Sequence, residues 1–366
     1  MALPYVNESQ HSLGFALNRP PSATTGSTIL GRLEAFLRVE AASGVLLVAA
    51  AAAALLWANS PWAGSYEAFW NSAVHRDAGA ALPAHTLRFW INDGLMSLFF
   101  LVVGLEIRRE IHEGALSNWR SAALPLLAAL GGVIVPALIY LGVVMDPALR
   151  RGWAVPTATD IAFSLGVLAF LGRRVPPALR ALLVALAMID DLIAMLVIAF
   201  FYSSGTLHPT LIGALVGFLL PVSGPTRRIE HALHPWVAYA VMPLFALANA
   251  GVDLGGAATA RDLTAPVGFG IVLGLVLGKP LGIFLAARAS VAIGVAALPD
   301  GIAWRHILLL GTLGGVGFTM SLFISQLAFP EQRWLAGAKI AVLLASVLAA
   351  VLSLILGRAI GVNRPA

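Results

Sequence analysis

The segment ALAMIDDLIAML, residues 185 to 196, places two adjacent aspartates, Asp190 and Asp191, within an otherwise apolar run. The run extends over about residues 179 to 202, which is long enough for a helix to cross the roughly 30 Å hydrocarbon core of a membrane. A charge at that depth costs about 2.5 to 3.5 kcal/mol on insertion scales, so function is the default interpretation. The segment therefore indicates a membrane protein with an ionisable site inside the bilayer.

The composition extends this conclusion to the whole chain. Of its 366 residues, 59% are hydrophobic and 11% are charged, and the mean hydropathy is +0.87, which is typical of an integral membrane protein. The absence of cysteine excludes a disulfide framework and thiol chemistry, and the histidines lack the spacing of a zinc site. The net charge of +5 is attributable to cytoplasmic loops and gives no reason to expect a nucleic-acid partner.

Apolar blocks separated by charges, glycines and prolines predict an all-α polytopic fold with ten transmembrane helices. They lie near residues 41–59, 89–105, 122–145, 154–171, 179–202, 208–222, 234–252, 265–287, 306–326 and 337–357. Alternate loops carry fifteen of the lysines and arginines against seven in the others, which predicts that both termini are cytoplasmic.

Outside these spans, the N-terminal region divides into two parts. Residues 1–28 are polar and are predicted to form a disordered cytoplasmic tail, followed by a single transmembrane transporter domain over residues 29–360. The segment ILGRLEAFLRVEAASG is predicted either as a helix at the membrane surface or as an extension of the first span.

The spans suggest two repeats of five helices, over residues 41–202 and 208–357, and the fourth member of each is irregular. In one, AVPTATDIAF interrupts a helix because Pro156 removes a backbone donor and Thr157, Thr159 and Asp160 offer competing partners. In the other, GTLGGVGFT carries four glycines. Five is odd, so the second repeat enters the membrane from the opposite side, as in secondary transporters with discontinuous helices and a mid-membrane site.

The two aspartates require different partners because successive helix positions point about 100° apart. Lys279, deep in the eighth span, is a candidate for an ion pair with one of them, and Asp160 lies beside a helix break. Two carboxylates that interact titrate as a coupled unit. With the Thr159 hydroxyl and unwound backbone carbonyls, they can hold either a proton or a hard monovalent cation. Mutual exclusion of the two at an alternately exposed site is sufficient for cation/proton exchange.

The chain resembles the NhaA-type Na+/H+ antiporters over about residues 29 to 360. The resemblance rests on VEAASG, LLWANSP, FWINDGLMSLFFLVVGLEIRRE, PTATDIAFSLGVLAFLG, ALAMIDDLIAMLVIAFFY, HPTLIGALVGFLLP, EHALHPWVAYAVMPLFALANAG, LGKPLGI and GGVGFTMSLFI, which occur in the family's order. It implies electrogenic exchange of sodium or lithium for protons in the bacterial inner membrane, for sodium and pH homeostasis. It also implies a transporter rather than an enzyme, with no cofactor and a membrane-lipid environment.

The resemblance further assigns roles to individual residues. Asp190 and Asp191 would be the cation- and proton-binding pair, with Asp191 the direct sodium ligand, Thr159 and Asp160 at the crossing of the broken helices, and Lys279 paired with Asp190. The cation is then expected near Thr159. A pH-response region would comprise Glu106, Arg109, Glu110, Glu230, His231 and His234. The family forms homodimers, partly through an extracytoplasmic hairpin that would lie within residues 60 to 88.

One departure from the family leaves alternatives open. Family members have twelve spans, and this chain passes directly from FFYSSG to TLHPTLIGALVGF, as if the sixth and seventh helices were missing. Loss of two spans preserves the orientation of all later ones. Besides antiport, the sequence permits a sodium-coupled symporter of an organic solute on the same scaffold, or a deletion variant that folds without transporting. An intramembrane aspartyl protease would require aspartates on separate helices with a GxGD motif, which is absent.

Overall fold

The computed structural model describes residues 25–73, 85–114, 117–172, 175–203, 209–255 and 257–360. The chain divides into two compact units, residues 1–36 and residues 37–366, and the helices that surround the two aspartates all belong to the second unit. Most of the predicted disordered tail, residues 1–24, lies outside the described residues, and helix α1 begins at Thr25, slightly before the predicted end of that tail.

Within the described residues the regular structure is helical, and the only strand-like feature is an isolated antiparallel bridge between Ala73 and Thr86. The helices are α1 Thr25–Ala58, α2 Ala63–Trp70, α3 Leu87–Glu113, α4 Trp119–Val143, a 3₁₀ helix Leu149–Thr157, α5 Ile161–Phe170, α6 Pro177–Tyr202, α7 Pro209–Leu219, α8 Gly224–Asn249, α9 Ala257–Thr264, α10 Pro266–Ala292, α11 Trp304–Gly314, α12 Phe318–Ala328 and α13 Gln332–Ala359. The all-α polytopic prediction is confirmed.

Nine of the ten predicted spans correspond to elements long and apolar enough to cross a membrane. Six are single helices and three are bent pairs, counted over the described residues. The predicted span 208–222 differs, because helix α7 has only 11 residues and is therefore roughly 16 Å long. Helix α7 packs closely on α3, where a Cβ at Gly213 would lie 2.2 Å from Ser97 O.

The two irregular segments predicted from sequence are broken helices. The 3₁₀ helix and α5 meet at a bend of 42°, and α11 and α12 meet at a bend of 47°. Pro156 lies near the end of the first half, and three of the four residues from 314 to 317 in the second break are glycines. In both cases the chain gives up helical hydrogen bonds for two or three residues at membrane depth, which requires protein partners for the freed backbone groups.

Lys279 is positioned by two local features of helix α10. The turn Gly274–Gly278 is π-helical and comes immediately before Lys279 and Pro280. Proline has no backbone N–H to donate to the preceding turn, and the wider π-helical turn adjusts the helix to this missing hydrogen bond. Three residues after Lys279, Gly282 contacts Gly131 of helix α4 so closely that a Cβ there would lie 2.1 Å from Gly131 O. Small residues thus let the two helices approach and fix the depth of the lysine.

Large apolar side chains cover the outer faces of the helices. Phe200, Leu56 and Phe170 are 79%, 74% and 69% exposed, respectively. In water such exposure would be costly, whereas these faces suit contact with lipid chains. The interior, in contrast, contains buried polar side chains from the broken helices, α6, α10 and α13, and these define the candidate site.

Candidate functional site

The crossing of the two broken helices is held by Asp160. One carboxylate oxygen, Oδ1, accepts from Phe163 N at 2.9 Å and so caps the first turn of helix α5. The other, Oδ2, accepts from Thr319 N at 3.0 Å and from the Thr319 hydroxyl, in the first turn of helix α12. Asp160 N donates to Val316 O at 2.7 Å. A single carboxylate therefore compensates the positive ends of both half-helices.

Asp190 lies beside this crossing and is bound to Thr159 in the first helix break and to Lys279 of helix α10. Lys279 Nζ is 2.7 Å from Asp190 Oδ2, and both side chains are almost fully buried. The Lys279 ammonium also donates to Thr157 O, at the end of the 3₁₀ helix. The pair satisfies the requirement that a buried charge have a partner and further hydrogen bonds. The expected pairing of Lys279 with Asp190 is therefore present in the structure.

The Thr159 hydroxyl contacts Asp190 and not Asp191. Thr159 Oγ1 lies 2.6 Å from Asp190 Oδ2 and 2.9 Å from Gly314 O. A hydroxyl has one proton and cannot donate to two acceptors at once. Thr159 and Lys279 thus share the same oxygen of Asp190.

Asp190 retains one unused ligand atom. Its Oδ1 is buried and has no hydrogen-bond partner in the part of the chain that the structure describes. Buried polar atoms are rarely left without a partner, so an orphaned carboxylate oxygen indicates a position for a proton or a cation.

Asp191 borders a cavity of about 50 Å³ that also contacts Glu106 and His234. The cavity is otherwise lined mainly by apolar side chains of α3, α5, α6 and α8, including Phe99, Ile161 and Met242. One water requires at least about 10 to 15 Å³, so the cavity has room for a few waters. Among the described residues, the Asp191 side chain makes no hydrogen bond or ion pair, and it is 5% exposed. Asp191 is therefore the carboxylate that solvent or a small ion can reach.

The predicted pH-response residues lie where α3 ends and α8 begins. Arg109 pairs with Glu230, which is buried, and His234 Nε2 lies 3.4 Å from Glu106 Oε1. These contacts join four of the six predicted residues into two pairs across the two helices. His231 is exposed, and Glu110 is half-buried on α3. The sequence did not identify a third pair, Arg227 with Glu113, which is more exposed.

The predicted dimer hairpin is described only in part. Leu87 N donates to Ser72 O at 3.0 Å, next to the Ala73–Thr86 bridge, so the two ends of the segment lie together. The tip of the hairpin, residues 74–84, lies outside the described residues.

Chemically, the site combines one ion-paired carboxylate, one carboxylate facing a cavity, a hydroxyl and the carbonyls of two helix breaks. Oxygen ligands of this kind suit hard cations, and the carboxylates also accept protons. Binding a cation at the pair and protonating the pair use the same oxygen atoms, so the two events compete.

Comparisons with known proteins agree with this chemistry. The sequence profile of the family described as Na+/H+ antiporter 1 matches residues 34–206 and 203–356. The chain is 43% identical to Na(+)/H(+) antiporter NhaA 2 of Sorangium cellulosum, with 95% of each chain covered. It is 47% identical to Na(+)/H(+) antiporter NhaA of Acidovorax sp., covering 92% of this chain and 93% of that protein. For NhaA of Cupriavidus necator the identity is 42%, with 92% of each chain covered.

The pattern of these matches also bears on the connection between α6 and α7. The two segments that match the family profile meet at residues 203–206, immediately after helix α6. The alignment with the Sorangium relative runs over 445 positions, although this chain has 366 residues. Gaps are therefore needed to align this chain with its relative, and the profile is interrupted where the sequence predicts that two helices are missing.

Proposed function

The chain belongs to the NhaA family of Na+/H+ antiporters, and from this membership we propose that it exchanges sodium or lithium for protons at Asp190 and Asp191. It is a multi-pass bacterial membrane protein, and the members of its family are transporters, not enzymes. The observation that carries the proposal is the combination of a buried Asp190, ion-paired with Lys279, and an Asp191 that borders a cavity.

Mutual exclusion at the aspartate pair supports the proposed exchange. A cation reaches Asp191 through the cavity bordered by Glu106 and His234 and displaces protons from the coupled pair. The orphaned Asp190 Oδ1 supplies a further oxygen, and Lys279 and Thr159 hold Asp190 in place. Protonation of the aspartate pair from the other side of the membrane then expels the cation. Exchange is electrogenic when more protons than cations are carried per cycle. The two carboxylates and the Lys279 amine are three groups that can each bind a proton, which is enough for such a ratio.

The two broken helices support alternating access by two inverted repeats, over residues 41–202 and 208–357. Their crossing forms contacts between the fourth and ninth spans, so movement of one repeat changes the surroundings of Asp160 and Asp190 together. Because Lys and Arg are enriched in the loops on the side of Glu106 and Glu230, we assign that side and both termini to the cytoplasm of an inner-membrane protein.

The pH response and the homodimer are proposed from the family resemblance, each for one part of the chain. The Glu106–His234 pair borders the cavity and the Arg109–Glu230 pair joins the same two helices, α3 and α8. There Glu106, Arg109, Glu110, Glu230, His231 and His234 would adjust exchange to pH. The homodimer contact is placed, from the family resemblance, at the hairpin within residues 60 to 88, whose two ends pair at Ala73 and Thr86.

A proton-gradient dequenching assay in everted membrane vesicles tests the function. Sodium or lithium added at pH 7 to 9 is expected to dequench the signal of the wild type and not of Asp191→Asn. The matched control is Asp146→Asn, which alters an exposed loop aspartate and leaves the cavity unchanged. A wild type without any cation response would favour a folded chain that does not transport. A response equal in wild type and Asp191→Asn would exclude the proposed site.

A further inference from the structure

Two serines make reciprocal contacts across the crossing of the broken helices. Ser164 is the fourth residue of helix α5, and its hydroxyl donates to Leu313 O at the end of helix α11, at 2.9 Å. Ser321 is the fourth residue of helix α12, and its hydroxyl donates to Val155 O near the end of the 3₁₀ helix, at 2.8 Å. Both serines are fully buried. Each half-helix thus binds a carbonyl at the end of the opposite broken helix.

The carbonyl next to each of these contacts, one or two residues along the chain, binds a partner of Asp190. Gly314 follows Leu313, and Gly314 O lies 2.9 Å from the Thr159 hydroxyl oxygen, where it competes with Asp190 Oδ2 for the single hydroxyl proton. Thr157 lies two residues after Val155, and Thr157 O accepts from the Lys279 ammonium. Ser164 is therefore linked to Asp190 through the Thr159 arm, and Ser321 through the Lys279 arm.

We propose that Ser164 and Ser321 are positioning residues for cation binding, because they fix the carbonyl segments that orient Thr159 and Lys279 toward Asp190. The proposal rests on the proposed exchange function and names two residues that do not themselves contact the aspartates. Leu313 O also accepts from Val316 N of its own break, at 3.1 Å, so the Ser164 hydroxyl is the contact that ties this carbonyl to the other broken helix. Without the serine hydroxyls the local turns remain, but each carbonyl segment loses a contact that holds it toward Thr159 or Lys279.

The size of the effect follows from one neutral hydrogen bond. A net contribution of about 0.5 to 1.5 kcal/mol corresponds to a change of about two- to twelvefold in an equilibrium constant. The loss acts on binding geometry, not on the carboxylates themselves. We therefore expect Ser164→Ala and Ser321→Ala each to raise the apparent KM for sodium about two- to twelvefold while the maximal exchange rate is unchanged.

Ser325→Ala is the matched control for Ser321→Ala. Ser325 lies one turn further along helix α12 and is equally buried, but its hydroxyl donates to Ser321 O of its own helix, at 2.7 Å. Its removal deletes a buried hydroxyl of the same kind without altering a contact between the two broken helices. Its KM for sodium should stay at the wild-type value.

The experiment combines sodium titrations of exchange in everted vesicles with thermal unfolding of the purified proteins in detergent at increasing sodium or lithium. Raised KM values for Ser164→Ala and Ser321→Ala but not for Ser325→Ala would support the proposal. Equal KM values in all four proteins, with melting temperature alone reduced, would overturn it.

Thermal stabilisation by the cation separates this proposal from the proposed function. A wild type that is stabilised by sodium but exchanges nothing would refute the function alone. In that case, higher half-maximal concentrations for Ser164→Ala and Ser321→Ala than for the wild type would still support positioning, and unchanged concentrations would overturn it. A wild type without either response would refute both.

Discussion

Replacing Lys279 by methionine should leave the buried carboxylate of Asp190 without its ion-pair partner. In the structure, Lys279 Nζ supplies Asp190 Oδ2 with a contact of 2.7 Å, and Asp190 Oδ1 has no partner among the described residues. After Lys279→Met, only the Thr159 hydroxyl would remain to Asp190. Methionine keeps most of the alkyl stem, whose carbons lie about 3.7 to 3.9 Å from where a Cβ of Gly314 would be. The substitution therefore removes the charge with little change in packing.

The expected cost is large because one partner of a buried pair is removed. Such changes typically destabilise a protein by about 3 to 5 kcal/mol, whereas replacing both partners by neutral groups is close to neutral. Lys279→Met and Asp190→Asn should each lower the free energy of unfolding, and the double variant should recover much of the loss. The coupling energy from this double-mutant cycle should be about 3 kcal/mol.

Lys339 provides the control. It is the other buried lysine in the described residues, 8% exposed on helix α13, and has no ion pair or hydrogen bond there. Lys339→Met should therefore leave stability unchanged or raise it, because it removes an unpaired buried charge. Unfolding in detergent can be followed by the fluorescence of the nine tryptophans. Equal destabilisation by Lys279→Met and Lys339→Met would refute the reasoning. So would a Lys279→Met, Asp190→Asn double variant that is no more stable than the less stable of its two single variants.

Three further predictions concern packing and polar contacts. Glu230→Gln should lower the melting temperature measurably, because Glu230 is buried in its pair with Arg109, whereas the corresponding change at the exposed Glu113 should cost less than about 1 kcal/mol. Gly131→Ala should destabilise the protein by more than about 1 kcal/mol, because the new Cβ would lie 2.3 Å from a backbone oxygen. The control is Gly142→Ala on the same helix, where the new Cβ meets nothing within 4 Å and the change should be neutral or stabilising. Asn249→Leu should cost about 1 to 3 kcal/mol in denaturant unfolding, because this buried amide bonds two other amide side chains; no loss would contradict that network.

The fold was largely predictable because the membrane imposes strong rules on sequence. Long apolar runs, a proline beside hydroxyl residues and a cluster of glycines gave the spans and both helix breaks, which the structure contains. The short helix α7 was overestimated, since the apolar residues beyond Leu219 continue without helical backbone. Hydropathy measures composition and does not register where a helix ends.

The partners within the site were predictable only in part. Buried charges such as Lys279 and Asp190 require each other, and the requirement is legible in sequence. The hydroxyl contacts were not, because Thr319 and Ser321 meet residues more than 150 positions away through the geometry of the crossing. A serine in an apolar helix has many possible partners, including its own backbone.

The central claim is that protons and cations compete for Asp190 and Asp191. It is tested most directly by adding sodium to the purified protein in weakly buffered detergent solution and measuring proton release with a pH electrode. We predict release from the wild type that saturates with sodium, and none from the Asp190→Asn, Asp191→Asn double variant. Sodium binding without proton release, or equal release from the double variant, would contradict the account.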